Sequence, residues 1–259
     1  MSLSNLHILV TGASGFIGKN LCLRLNELNN ITVTTFVRGN SISQLPQLVS
    51  KADAIVHLAG ENRPSQESAF LDVNVGLTSK LRDSICHEYM SLGRHVPFVL
   101  LSSSQALLDN PYGRSKLQAE QIVRSMYEVT GNPCTVIRLP GVFGKWCRPN
   151  YNSVVATFCH NLARDLPIHI NDPSAVVRLV YIDDVLTTLL GCLEVSSPGY
   201  HTPTVNPEYA ITLGELSEQI RSFANCRTTL ISERVGAGLT RALYATSVSY
   251  THLRAHETL

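Results

Sequence analysis

Residues 6–11 (LHILVT) form a short apolar run of strand length that ends directly in Gly12-Ala13-Ser14-Gly15-Phe16-Ile17-Gly18. Residues 19–28 follow, with Leu21, Leu25 and Leu28 at helical spacing. A strand, a GxxGxxG turn and a helix, in that order, constrain the fold more than any other stretch of this chain. Gly12 permits a tight turn, Gly15 lets the backbone approach a pyrophosphate, and Gly18 lets the helix pack close to the sheet. Phosphates then sit at a helix N-terminus, where backbone N–H groups and the helix dipole favour negative charge. The expected cradle is Gly12, Ser14, Gly15, Phe16, Ile17 and Gly18.

The alternation continues downstream. Residues 32–37, 54–58, 97–101 and 134–138 read as strands, and 75–89 and 116–127 as helices. This rhythm predicts an α/β fold, a Rossmann-type doubly wound parallel sheet covered on both faces. After Pro140 the rhythm breaks, and prolines at 149, 167, 173 and within 198–207 punctuate mixed segments. The expected division is a dinucleotide-binding core over 1–140 and a smaller C-terminal substrate-binding lobe over 141–246, with returns to the core. The remaining residues, 247–259, read as foreign. Residues 248–258 (VSYTHLRAHET) match the in-frame translation of a transposon-based sequencing adapter, the alternative being a natural tail.

Composition narrows the partners. Lys plus Arg number 21 and Asp plus Glu 20, for a net charge of +1, with no basic block. That balance argues against nucleic acid or an anionic membrane as the main partner. No apolar run reaches the ~18 residues of a membrane span, and no basic leader precedes the first strand. The seven cysteines are never spaced CxxC. Free thiols in a reducing cytoplasm are expected, with no metal framework.

The end of the second strand bears on the cofactor. An NAD site places Asp or Glu about 20 residues beyond the glycine loop, on the ribose 2′-hydroxyl. Here the strand runs Phe36-Val37-Arg38-Gly39-Asn40, with no acid. The planar fork of Arg38 suits a 2′-phosphate, so NADP(H) is expected, the alternative being a solvated surface arginine.

Tyr112-Gly113-Arg114-Ser115-Lys116 is YxxxK. On a helix, i and i+4 share a face, so phenol and ammonium reach the same cleft. A Tyr with pKa near ~10 relays protons poorly at neutral pH, and a nearby Lys⁺ stabilises the phenolate. Ser104 closes a strand just upstream, where α/β sheets bind ligands, and can hydrogen-bond a substrate oxygen. Ser103 is the alternative to it.

Together these residues resemble the extended short-chain dehydrogenase/reductase family over about residues 6–246. Its motifs stand here as Thr11 to Gly18, His57-Leu58-Ala59-Gly60, Asn74, Tyr112 with Lys116, Arg138-Leu139-Pro140 with Gly144, and Arg178 to Asp183. The resemblance implies that Leu58, Ala59, Gly60, Leu139 and Pro140 line the cofactor, and that Asn74 supports a proton relay. It implies that Arg178, with Asn152, grips the diphosphate of a UDP-linked substrate, and it fits a homodimer. The plainer alternatives are a core histidine for His57 and an ion pair between Arg178 and Asp183 or Asp184.

Sugar dehydratases of the family carry an Asp–Glu pair after the strand-end Ser or Thr, whereas Gln105-Ala106 follow Ser104 here. Ser104 also lies only eight residues before Tyr112, where extended members insert a longer loop. That short segment, with Glu61-Asn62-Arg63-Pro64, residues 144–153 and residues 211–216, resembles a narrower group, the bacterial capsular-polysaccharide reductases. The narrower resemblance implies NADPH-dependent hydride transfer to carbon 4 of a UDP-4-keto-6-deoxy-N-acetylhexosamine, towards N-acetyl-L-fucosamine. Full-length members carry a C-terminal zinc cupin domain, which this chain is expected to lack. The rival readings are a nucleotide-sugar epimerase with bound NAD and a non-catalytic nucleotide sensor on the same fold.

Overall fold

The β-branched and aliphatic residues of Leu6–Thr11 make strand β1, and its last four residues are buried. The computed structural model describes residues 5–194, 198–229 and 234–256. Residues 1–4 of the expected leaderless start, the Cys226 side chain and residues 257–259 of the expected tail lie outside the described residues. By contacts the chain divides into two units, Met1–Leu139 with Leu186–Val205, and Pro140–Val185 with Asn206–Leu259.

The first unit continues with helix α1 (Phe16–Asn26), β2 (Ile31–Phe36), α2 (Leu45–Lys51) and β3 (Ala54–His57). A short turn of helix, α3 (Ser68–Phe70), runs through a π-helical stretch, Leu71–Gly76, into α4 (Leu77–Leu92). Then come β4 (Phe98–Ser103), α5 (Pro111–Thr130) and β5 (Cys134–Leu139). The strand order is β2-β1-β3-β4-β5-β8, where β8 is Tyr200–His201, and every pairing is parallel. This is the doubly wound sheet expected from the strand–helix rhythm. Strands covered on both faces read as unbroken apolar runs, as residues 54–56 of β3 and 98–101 of β4 do, and every residue of both strands is buried. Leu9, Ile55, Leu81, Ile85, Phe98, Leu100 and Val136 form one core cluster. Full burial of each such side chain is worth roughly 1.5–3 kcal/mol relative to exposure.

Local chemistry sets the ends of α5. Pro111 occupies its first turn, the Asn110 side chain caps Gly113 N at 2.8 Å, and Gly131 at φ +66° ends it. The helix therefore starts five residues before the expected 116, and Tyr112 lies in its first turn. Helix α1 likewise starts at Phe16 rather than 19, and α2 is a helix that periodicity over seven residues is too short to reveal.

The second unit holds β6 (Gly141–Phe143), α6 (Val154–Leu162) and β7 (Val176–Tyr181). It also holds the start of α7 (Ile182–Glu194), β9 (Tyr209–Thr212), α8 (Leu213–Thr229) and α9 (Gly238–His256). Strand β7 pairs parallel with β6 and antiparallel with β9. Helix α9 runs on into the adapter-like stretch as far as His256, and there Tyr250 is 5% exposed and its hydroxyl donates to the Cys147 carbonyl. Among the described residues, no helix is long and apolar enough to cross a membrane. Cys22, Cys86, Cys134, Cys147, Cys159 and Cys192 are free thiols.

Candidate active site

The glycine loop leaves the carboxyl end of β1 and is held by close backbone packing. Gly12 has φ +71°, and a Cβ there would lie 2.6 Å from Ala59 N. A Cβ on Gly18 would lie 2.3 Å from Gly12 O. Gly18 thus lets α1 close on the turn, and Gly12 lets the loop after β3 lie against it. Ser14 and Gly15 are exposed, Phe16 and Ile17 half-buried. Gly15 is the N-cap of α1, with no side-chain cap and no acid in the first turn. An uncapped first turn beside an exposed glycine suits a pyrophosphate.

β3 adjoins β1 on the side opposite β2, so the switch point of the sheet falls between β1 and β3. Ligands of open α/β sheets bind there, outside the strands' carboxyl ends. Leu58, Ala59 and Gly60 lie at that point. A Cβ on Gly60 would come 2.9 Å from Lys116 Nζ and 3.1 Å from Asn74 Oδ1. Leu139 ends β5, and Pro140 is the first residue of the other unit.

Asn74 lies in the π-helical stretch and is 2% exposed. Its Oδ1 accepts from Glu61 N at 2.8 Å, and its Nδ2 donates to Glu61 O at 3.0 Å and to Ser115 Oγ at 2.9 Å. It pins the segment after β3 to α5, next to Lys116. π-Helical turns recur at functional sites because they re-aim a side chain.

His57 is the core histidine of the plainer reading. Its Nδ1 lies 2.6 Å from Thr11 Oγ1 and its Nε2 2.9 Å from Thr78 Oγ1. Thr78 Oγ1 donates to Asn74 O and Thr11 Oγ1 accepts from Ala59 N, so the network assigns the proton to Nε2. Burial, then the Lys116 charge, push its pKa down to about 3. His57 stays neutral and ties β1, β3 and α4 together.

Tyr112, Lys116 and Glu120 recur at i, i+4 and i+8 on one face of α5. Tyr112 is half-buried, its ring 5.8 Å from that of Phe70. Lys116 is 8% exposed, and its Nζ donates to Leu101 O at 3.3 Å and lies 6.0 Å from the Tyr112 ring centre. Burial lowers the Lys116 pKa to about 8, against the opposing pull of the Glu120 carboxylate. Glu120 is itself 5% exposed and accepts from Ser102 Oγ at 2.5 Å and from Arg138 Nε at 2.9 Å and Nη2 at 2.5 Å. Of the serines closing β4, Ser102 is thus bound to Glu120, and Ser103 Oγ accepts from Gln105 N. Ser104 stands exposed at the first residue of the following 3₁₀ turn.

Arg38 sits at the tip of a turn over residues 37–40, closed by Asn40 N to Val37 O at 3.0 Å and by Val37 N to Asn40 Oδ1 at 2.8 Å. Its Nη2 donates to Glu61 Oε2 at 3.0 Å. In the second unit, Arg178 on β7 pairs with Glu208 rather than with Asp183 or Asp184, the partners weighed from sequence. Asn152 is exposed in the bend before α6. Among the described residues, no group of three or more His, Cys, Asp or Glu could hold a metal ion.

Three residues of this site escape a reading of the sequence alone. Glu120 has a signal, an acid one turn beyond the YxxxK lysine. Gly113 has a weaker one, a glycine inside a helix start. Glu61 has none, since its partner lies 23 residues away in the chain.

The family model described as the NAD dependent epimerase/dehydratase family matches residues 8–206. The chain belongs to that family. An NAD(P) dinucleotide is the cofactor class of this epimerase/dehydratase family, and the glycine cradle described above fits one. UDP-2-acetamido-2,6-beta-L-arabino-hexul-4-ose reductase of Pseudomonas aeruginosa is 48% identical over 243 residues, which is 94% of this chain and 64% of that protein. The capsular polysaccharide assembling protein CapF of Staphylococcus aureus matches at TM-score 0.79 and 34% identity, over 95% of this chain and 65% of CapF. The chain therefore spans less than two thirds of both relatives. UDP-glucuronic acid 4-epimerase of Bacillus cereus, solved with NAD, matches at TM-score 0.78 and 18% identity over 96% of this chain and 99% of that one. That likeness speaks for a shared fold alone.

Proposed function

We propose that this chain is an NADPH-dependent reductase of a UDP-4-keto-6-deoxy-N-acetylhexosamine, acting in the cytoplasm. The observation that carries the reading is the buried Lys116 one helical turn past Tyr112, against Gly60 and the end of β4. The 48% identity to a UDP-sugar keto reductase supports the substrate class. Arg38, where an NAD site has an acid, supports NADPH.

The glycine loop and α1 hold the pyrophosphate, Arg38 takes the 2′-phosphate, and Leu58 to Gly60 with Leu139 and Pro140 line the rest of the dinucleotide. When bound, the nicotinamide supplies hydride to carbon 4 of the keto sugar. Ser104 hydrogen-bonds the carbonyl oxygen. Tyr112 gives its proton to that oxygen as the alkoxide forms. Lys116, charged, stabilises the phenolate left behind and holds the nicotinamide ribose. Asn74 keeps the segment at Gly60 in register with Lys116. Arg178 and Asn152 grip the UDP diphosphate.

Purified protein supplied with the keto sugar is expected to consume NADPH and yield the 4-hydroxy sugar. Binding of the sugar without NADPH consumption would refute the reductase reading. Release of tightly bound NAD on denaturation would favour the epimerase instead.

The pH profile follows from Lys116. A lysine with its pKa lowered to about 8 is charged below that pH and neutral above it. Only the charged form stabilises the phenolate, so kcat is expected to fall as pH rises through about 8. Replacing Glu120 with Gln removes a charge that favours the ammonium, so the falling limb moves towards lower pH. Rate profiles of the two proteins check both statements, and a limb that does not move would show Glu120 to be purely structural.

A further inference from the structure

We propose that Glu61 sets the cofactor preference of the first unit by holding Arg38 and opposing a 2′-phosphate, so that NADH is accepted as well as NADPH. The inference rests on the NADP reading above and deepens it. β2 and β3 lie on either side of β1. Segments leaving their carboxyl ends therefore flank the glycine loop that leaves β1. Arg38 comes from the β2 side and Glu61 from the β3 side, and the two meet at 3.0 Å.

The partners are not equally placed. The Arg38 side chain is 91% exposed, and that of Glu61 only 16%. Glu61 is also held in place, because the buried Asn74 bonds both its N–H and its carbonyl. The Glu61 backbone is thus fixed and its carboxylate largely shielded from solvent, whereas the Arg38 side chain lies open to it. Burial of this kind makes loss of the counter-charge unfavourable.

A 2′-phosphate recruits a guanidinium through charge-assisted hydrogen bonds. To do so here it must draw Arg38 away from Glu61 and then sit beside that carboxylate. Loss of the ion pair and like-charge repulsion both act against NADPH. Neither acts against NADH, whose 2′-hydroxyl is a donor that a carboxylate accepts. The acid that an NAD site carries on its second strand is supplied here from beyond β3.

Equilibrium titration of the whole chain with NADPH and with NADH, followed by calorimetry, tests this without turnover. The wild-type chain is expected to prefer NADPH by less than about tenfold. Glu61→Gln is expected to raise that preference about three- to fivefold, through tighter NADPH binding, the upper part of the range expected for a partly exposed charge pair. Arg38→Ala is expected to reverse the preference towards NADH, because Glu61 then faces the 2′-phosphate with no counter-charge. Thermal melting confirms that both variants are folded. A preference in Glu61→Gln within about twofold of wild type overturns the inference, and leaves the NADP reading standing if Arg38→Ala removes the preference for NADPH. Failure of the folded wild-type chain to bind either dinucleotide overturns both.

Discussion

Tyr112→Phe is expected to lower kcat for keto-sugar reduction by about 10²- to 10⁴-fold, the span of a positioned general acid. The substitution removes one hydroxyl and keeps the ring that packs at 5.8 Å from Phe70. The first turn of α5 is held by the Asn110 cap and Pro111, neither of which uses the phenol. Stability and NADPH affinity are therefore expected to stay near wild type, and the loss to fall on kcat. Steady-state rates with NADPH and the keto sugar, beside a binding titration and a thermal melt, separate the three quantities. Retention of more than about a tenth of the wild-type rate, well above the loss expected of a general acid, would assign the proton to another group. Retention of full biological activity would favour the non-catalytic sensor.

Gly113→Ala is expected to be a damaging single-methyl change near the site. A Cβ there would lie 2.2 Å from Gln105 O and 2.5 Å from Leu108 O, both backbone atoms. Backbone cannot step aside as a side chain can, so either α5 or the 3₁₀ turn after β4 must move. Overpacking of this kind costs about 1–3 kcal/mol, and occasionally more. In a chain of this size that is a melting temperature lower by several degrees, at about 2–4 °C per kcal/mol. Activity falls further than stability, because the displaced turn carries Ser104 and the displaced helix carries Tyr112. Gly191→Ala is the control. Gly191 lies within α7 with nothing within 4 Å of an added Cβ. There alanine is expected to stabilise by roughly 0.5–1 kcal/mol through helix propensity. Equal effects at the two positions would refute the steric argument.

The parts of the site that are legible in the sequence are those written in neighbouring residues. β1, the glycine loop and the YxxxK pair are local patterns; β1 spans the expected Leu6–Thr11, and Tyr112 and Lys116 share one face of a helix as their spacing implies. The helix starts at Phe16 and Pro111 are less legible. Gly15 is a weak cap signal, and the turn from Asn110 into Pro111 precedes the first apolar repeat of α5. Glu61 is invisible from the chain, because its meaning depends on β2 and β3 flanking β1, a fact of topology. Arg178 shows the same limit in the second unit. The acids weighed as its partners, Asp183 and Asp184, lie five and six residues on in sequence, but the strand pairing of β7 with β9 brings Glu208 to it instead.

The first unit is written in two separated pieces of chain, residues up to Leu139 and Leu186–Val205. Its sixth strand, β8, pairs with β5 at Cys134 and Thr135. During synthesis, β5 therefore leaves the ribosome long before its outer neighbour exists. Through that interval the edge beyond β5 presents unpaired N–H and carbonyl groups on an apolar strand, a template for pairing with other chains. Fragments that stop short of Tyr200 inherit that edge permanently. The smallest stretch that can fold cleanly is thus set by where the sheet closes and not by where the dinucleotide motifs end, so trimming a gene to its recognisable N-terminal motifs invites aggregation.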